Sequence, residues 1–454
     1  MLKQISRRLN TLHPAFLLLL SYLTAIALGT GLLMLPAATV ARSIHFIDAL
    51  FTATSAVCVT GLIVLDTGSD YTLLGQGIIL VLIQLGGLGI MTLSVLLFHL
   101  IGLRVRFQYR MAVQEVFSHT PRKDIYRLLR SIFLFTAVME LFGVLLLTLH
   151  WAQHHPLGKA LYLGVFHSVS AFCNAGFSLF ETSFMREQGA VLLNMTLCGL
   201  IVLGGLGFPV VYEIYLKTVD NRSMRLSIQT KAVLWTSGGL ILLGVLVLGV
   251  TEADFLGTLS YGDRILTLVF QSITCRTAGF NTVDIGALTS AGLAFMMFLM
   301  FFGASPGSCG GGVKTTTLAV LAAFSWSRLK GMTHVNLFKR TLPQDTVTKS
   351  VSVLLLSTVI ICAALFLILI TDLEQGAGVS EHRRFLILLF ETTSAFGTVG
   401  LSMGATTQLN DIGKLIIICV MLIGRVGVPT FAYIIAGPAS KKGLEYAQEN
   451  LMIG

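Results

Sequence analysis

The chain has 454 residues, 54% of them hydrophobic and only 12% charged, with a formal net charge of +9. Soluble domains carry roughly a quarter of their residues charged, so an ordinary soluble enzyme or binding module is excluded. Most of the 31 Lys and Arg sit in short blocks beside apolar runs, at 3–8, 104–130, 217–231, 328–349 and 441–442. That placement argues against nucleic acid and for a lipid bilayer as partner.

The first apolar run, Pro14 to Pro36, predicts a spanning helix over 14–37. It lacks a small-residue cleavage site and reads as retained, not as a signal peptide. A short amphipathic stretch (45–59) follows and ends in Ser55-Ala-Val-Cys-Val-Thr-Gly61. A long helix over 73–102 then carries Leu85-Gly-Gly-Leu-Gly89. The second quarter repeats this order with 125–150, 160–173 ending at Ser170-Ala-Phe-Cys-Asn-Ala-Gly176, and 188–218 carrying Leu203-Gly-Gly-Leu-Gly207. The third has 231–250, 262–275 ending at Ile273-Thr-Cys-Arg-Thr-Ala-Gly279, and an interrupted helix over 289–330. The fourth has 347–371, 382–396 ending at Ser394-Ala-Phe-Gly-Thr-Val-Gly400, and 411–436 carrying Ile423-Gly-Arg-Val-Gly427.

The repeat glycines are 115, 103 and 121 residues apart, which divides the chain into units 1–110, 111–225, 226–340 and 341–454. The expected fold is an all-α polytopic membrane protein of four helix–pore-loop–helix repeats in pseudo-fourfold arrangement around one pore. The short elements cannot cross a bilayer and suit re-entrant helices stopping at mid-depth. Four turns around one axis would present backbone carbonyls in a ring, as a dehydrated potassium ion requires. The turns in question are Val59-Thr60-Gly61, Asn174-Ala175-Gly176, Thr277-Ala278-Gly279 and Thr398-Val399-Gly400. Each glycine permits a positive φ that aims carbonyls inward. By the positive-inside rule both termini and the basic loops are cytoplasmic.

In the third quarter Gly303 to Gly312 holds five glycines and Pro306, too many for an uninterrupted helix. We expect an intramembrane loop over 303–315 beneath the ring, with Gly303, Pro306, Gly307, Gly310, Gly311, Gly312 and Lys314 in it. Glycines 86, 204, 303 and 424 follow the turn glycines by 24 to 28 residues. They allow close helix approach and would also keep the pore wide. Arg425 stands where the first two quarters have Gly87 and Gly205. A charge at that depth faces a cavity or a partner, so it either lines the pore below the ring or pairs with Glu140. Glu391 reads as an acceptor for backbone NH groups, Arg276 as a brace behind the third turn, and His167 as a hydrogen-bonding packing residue. Gly307 to Thr315 fails as a phosphate-binding loop because Val313 intervenes before Lys314. With no nucleophile–base grouping and no metal spacing among the seven cysteines, the chain reads as neither an enzyme nor a cofactor carrier.

These units, with a glycine in each turn, the interrupted third inner helix and the Gly424-Arg-Val-Gly427 segment, resemble the Trk/Ktr/HKT superfamily of potassium transporters. The Gly303-to-Thr317 segment and short N-terminus are most similar to its Ktr-type membrane subunits; Trk-type subunits carry a further N-terminal helix pair. The resemblance implies potassium uptake, often sodium-stimulated, by a homodimer in a bacterial inner membrane, with one pore per protomer. It also implies a cytoplasmic ring of nucleotide-binding, RCK-type regulatory subunits, so that nucleotide is expected on the partner only. It places Gly61, Gly176, Gly279 and Gly400 in a selectivity filter that holds K+ through carbonyls. The same resemblance assigns Gly303 to Lys314 to a gating loop and Arg425 to the position below the filter. The alternative is an alternating-access cation symporter with broken helices at the membrane midplane, whose repeats would be inverted.

Overall fold

The computed structural model describes residues 14–89, 125–219, 225–257, 259–371 and 381–436. The termini, the distal half of the helix expected over 73–102, and most of the 104–130 basic block lie outside the described residues. Those that are described fold almost wholly as helices, joined by loops and one two-stranded hairpin pairing Asn336–Leu337 with Arg340–Thr341.

In chain order the helices are α1 (Pro14–Leu33), α2 (Phe46–Val57), α3 (Leu73–Leu88), α4 (Ile125–Trp151), α5 (Leu157–Phe172), α6 (Val191–Gly205) and α7 (Phe208–Val219). They continue with α8 (Ile228–Thr251), α9 (Tyr261–Thr274), α10 (Ser290–Phe301), α11 (Thr315–Leu329), α12 (Gln344–Thr371), α13 (Glu381–Gly397), α14 (Asp411–Val426) and α15 (Val428–Ala436). A single helical turn, Ala253–Leu256, follows α8. α1, α4, α8 and α12 are long and apolar enough to cross a bilayer. On α4, Leu134, Val138, Leu141, Leu145 and Leu149 form one exposed stripe at helical spacing. Lipid covers such a face where water would not.

The short helices α2, α5, α9 and α13 are buried toward their C-terminal ends. Each buries a phenylalanine completely at a matching place: Phe51, Phe166, Phe270 and Phe390. Three of these stand ten residues before the turn glycine and Phe270 stands nine before it. The inner helices α3, α10 and α14 start alike, with Thr72, Thr289 or Asn410 accepting from the NH of Gly75, Gly292 or Gly413. Each inner helix then packs on the short helix of the following quarter: α3 on α5, α6 on α9, α10 on α13, and α14 back on α2. The packing therefore closes on itself.

Two elements differ from expectation. The apolar stretches 188–218 and 411–436 are not single helices. α6 and α7 meet at 98°, and α14 and α15 at 106°. The breaks fall at Gly207 (φ 90°) and Gly427 (φ 94°), and Gly89, at the end of α3, has φ 80°. Only glycine takes that left-handed geometry cheaply, so the last residue of each Gly-x-x-Gly segment ends its helix.

Candidate functional site

The four turns lie against one another. A Cβ added to Gly61 would overlap the carbonyl oxygen of Ala175, and one on Gly176 would come within 2.8 Å of Ala278 O. One on Gly279 would overlap Val399 O, and one on Gly400 would overlap Thr60 O. Each glycine thus abuts the residue preceding the glycine of the next turn, and the fourth returns to the first. All four have positive φ (90°, 71°, 82° and 93°). So do the residues two before them: Val59 (56°), Asn174 (58°), Thr277 (67°) and Thr398 (50°). Asparagine tolerates this region, whereas β-branched Val and Thr are strained in it. Eleven of the twelve residues of the four turns are buried, and Gly176 is half-buried.

Hydroxyls brace the turns from behind. Ser55 Oγ accepts from Gly61 NH and Ser394 Oγ from Gly400 NH, both at 3.1 Å. Ser170 Oγ donates to Phe177 O at 2.8 Å, and Thr274 Oγ1 to Phe280 O at 2.6 Å. The third turn is one residue tighter. Its Ala278 NH bonds four residues back to Thr274 O, whereas Thr60, Ala175 and Val399 each bond five residues back. Thr274, not Ile273, therefore occupies the place of the serines. Arg276 donates to Ser237 Oγ on α8 at 2.9 Å and so holds this turn from outside.

Gly86, Gly204 and Gly424 occupy one equivalent position. A Cβ there would run into the carbonyl of Val57, Phe172 or Phe396, at the C-terminal ends of α2, α5 and α13. These glycines let each inner helix touch its own short helix. The third quarter departs again, since Gly303 faces Thr277 instead.

Beneath the ring runs the break between α10 and α11, residues 302–314. Its backbone bonds to the second and fourth quarters. Ser305 NH and Cys309 NH donate to Gly205 O and Gly204 O, at 3.3 and 3.2 Å. Gly312 NH donates to Gly424 O at 3.2 Å, and Gly311 NH to Thr398 Oγ1 at 2.9 Å. Gly310 and Gly311 have no room for a side chain, because Thr277 and Thr398 fill that space. Phe208 NH, just past the α6–α7 bend, donates to Gly307 O at 3.0 Å, and Pro306 O lies against Gly207. Lys314 Nζ folds back onto Gly310 O at 2.8 Å, neutralising the loop's own carbonyls.

Arg425 sits between this loop and the first quarter. Its guanidinium donates to Cys309 O and to Gly86 O, and its Nε to Tyr22 Oη on α1 at 3.3 Å. The ion pair with Glu140 is not formed, because the guanidinium fork is satisfied by carbonyls that the helix break and the loop leave open. Glu140 accepts instead from Gln84 Nε2 at 3.2 Å. Glu391 accepts from Met403 NH, Ala405 NH and the Thr406 hydroxyl, holding the segment after the fourth turn. His167 bonds Leu163 O through Nδ1 and accepts Leu179 NH at Nε2, stacked on Phe180. Tyr22, Thr274 and the left-handed backbone of Val59, Thr277 and Thr398 escaped the sequence reading. Only the hydroxyl common to the four turns could have pointed to Thr274.

Residues 15–439 match the family model described as TrkH, a cation transport protein. The chain is 38% identical to Ktr system potassium uptake protein B of Vibrio alginolyticus, over 96% of this chain and 94% of that one. It is 36% identical to the Bacillus subtilis protein of the same name, over 92% of each. Potassium/sodium uptake protein NtpJ of Enterococcus hirae is 34% identical over essentially both full lengths. The crystal structure of the potassium transporter TrkH from Vibrio parahaemolyticus superposes with a TM-score of 0.72, covering 94% of this chain and 85% of that chain at 18% identity, which speaks for the fold alone.

Proposed function

The chain belongs to the TrkH family of cation transport proteins, membrane transporters and not enzymes, and on that premise we propose that it is the potassium-translocating subunit of a Ktr-type uptake system. The observation that carries this reading is the closed ring. Four turns stack glycine against carbonyl, with two left-handed residues apiece, where all four quarters meet. Carbonyl oxygens of Val59-Thr60-Gly61, Asn174-Ala175-Gly176, Thr277-Ala278-Gly279 and Thr398-Val399-Gly400 replace the hydration shell of K+ as it passes inward. The C-terminal ends of α2, α5, α9 and α13 face the ring and add partial negative charge there.

The loop 303–314 obstructs the path below, and its hydrogen bonds to α6, α14 and the fourth turn hold it there. Arg425 locks it to the first quarter while opposing a cation by its charge. Opening requires those bonds to break together, which a cytoplasmic, nucleotide-binding regulatory ring is placed to drive through α7, α11 and α15. In this reading the subunit is a homodimer with one pore per protomer, resides in the bacterial inner membrane with both termini cytoplasmic, and is stimulated by Na+. Its units are 1–110, 111–225, 226–340 and 341–454. The cyclic packing of inner on short helices runs in one sense throughout, which supports a channel-like pore over inverted repeats exchanging access.

Potassium uptake in a transport-deficient cell, with and without Na+ and the soluble partner, tests the assignment. Rescue by this chain plus the partner is expected, and failure to concentrate potassium under every combination would sink it. Removing residues from Gly303 to Gly312 is expected to raise basal flux; unchanged flux would remove the loop from gating.

A further inference from the structure

A groove of about 370 Å³ opens between α4 and α7. Leu134, Phe135 and Val138 on α4 face Phe208, Ile214 and Tyr215 on α7 across it. An apolar cleft of that size with a few hydroxyls suits a small amphiphile. Leu134 and Val138 also belong to the exposed apolar stripe of α4, so the groove is continuous with the face that lipid covers. α7 turns from α6 by 98°, so that where α6 crosses the bilayer α7 runs along its surface. Charge stands at the rim. Arg130 lies one turn before Leu134 and Lys217 three residues after Ile214, which sets both at the edges of the lining faces, and both side chains are exposed. Glu213, the acidic residue of α7, is committed to the start of α8, where it accepts from Ser227 NH, Ser227 Oγ and Thr230 Oγ1. The two walls adjoin the basic blocks 104–130 and 217–231, which mark the cytoplasmic side.

We infer that this groove is a site for an anionic phospholipid of the cytoplasmic leaflet, with one acyl chain along Val138 and Phe208 and the phosphate held by Arg130 and Lys217. Basic pockets between spanning helices select such headgroups. A headgroup satisfies both cations while its chain stays in the groove, which neither a neutral lipid nor an apolar protein face does. The site also reaches the loop. Phe208, at the buried end of the groove, donates its NH to Gly307 O at 3.0 Å, and Pro306 O lies against Gly207 beside it. A ligand that binds best where α7 now lies stabilises the arrangement in which that bond is made. Bound lipid therefore holds the loop in place. The site stands on the groove alone, whereas its effect on flux rests on the proposed gating role of the loop.

The test exchanges the full chain, in an uncharged detergent, with equal amounts of phosphatidylglycerol and phosphatidylcholine and reads retained lipid by native mass spectrometry. One phosphatidylglycerol is expected, preferred about thirtyfold, because each basic group at headgroup level contributes about fivefold. Arg130→Gln and Lys217→Gln should each lower that preference about fivefold, and Val138→Trp, which fills the groove, should displace the lipid. Equal retention of the two lipids by the parent, or unchanged retention in Val138→Trp, overturns the site. A changed oligomeric state in Val138→Trp with lipid retention unaltered would assign the groove to a second copy of the chain instead. If Val138→Trp fails to fold, the two charge variants decide: an unchanged preference in both refutes the site. In phosphatidylcholine vesicles, adding phosphatidylglycerol should lower rubidium flux through the parent and leave the doubly substituted Arg130→Gln, Lys217→Gln chain little affected. Retained lipid with unaltered flux would leave the site standing and remove its link to the loop.

Discussion

The ring of turns and the layer directly beneath it are built on opposite plans. In the ring every quarter uses the same parts: a buried phenylalanine, a hydroxyl brace, a left-handed residue, and a glycine set against its neighbour. Beneath it no two quarters are treated alike. The first offers Gly86 O to Arg425, the second offers Gly204 O and Gly205 O to the loop backbone, and the fourth offers Gly424 O to Gly312 NH. A ring in which each turn touches two others resists local change. A layer held by a few unlike links opens when those links break together. Selection suits the first arrangement and control the second.

The comparison can be broken at four places, in descending order of effect. Gly279→Ser puts a side chain onto Val399 O at a residue with φ 82°. The backbone alone costs about 1–3 kcal/mol, before the overlap is counted. Rubidium-tracer uptake should drop by roughly tenfold or more with loss of preference over Na+; normal uptake and preference would mean the ring is not where ions are selected. Arg425→Ala comes next. It strips a charged donor from two buried carbonyls, each such bond contributing about 1.5–3 kcal/mol. A lower melting temperature together with raised basal flux is expected, and a fall in flux in a folded variant would contradict the lock.

Ser394→Ala removes the brace on Gly400 NH, about 0.5–1.5 kcal/mol. Here competition between K+ and Na+ should shift while basal leak does not, and Ser394→Thr should restore it. A change in leak without a change in competition would erase the distinction between the two layers. The smallest effect belongs to Lys414→Gln, which breaks the 2.7 Å ion pair with Asp48 joining α14 to α2 at their outer ends. Both side chains are partly exposed, so at most about 1 kcal/mol is at stake, declining with added salt. A melting curve that is salt-independent in the parent would show the pair contributes nothing.

Much of this was legible in the chain itself, for identifiable reasons. Apolar runs of bilayer length and the glycines at 61, 176, 279 and 400 are composition and spacing, which need no third dimension. The break at Gly303 to Gly312 is likewise visible, because glycine and proline interrupt a helix wherever they cluster. The bends at Gly207 and Gly427 were hidden, since one glycine in a continuous apolar run is compatible with a straight helix. Aligning the turns by their glycines set Ile273 beside the serines and concealed the shorter third turn, in which Thr274 supplies the hydroxyl. Left-handed Val59, Thr277 and Thr398 run against their own preferences, so no local signal announces them.

Arg425 marks the boundary most clearly. Its depth in an apolar segment demanded a partner, and the sequence offered Glu140 because unlike charges attract over any separation. The partners it has are Gly86 O, Cys309 O and Tyr22 Oη, contributed by segments 116 to 403 residues away. The sequence by itself determined the membrane, the helices, the glycine turns and the position of the break, because each follows from local composition and backbone freedom. Tertiary structure alone decided that the turns close into a ring and that one guanidinium ties loop to helix. Both depend on carbonyls left unpaired at helix ends, and where those ends converge is a property of the packing.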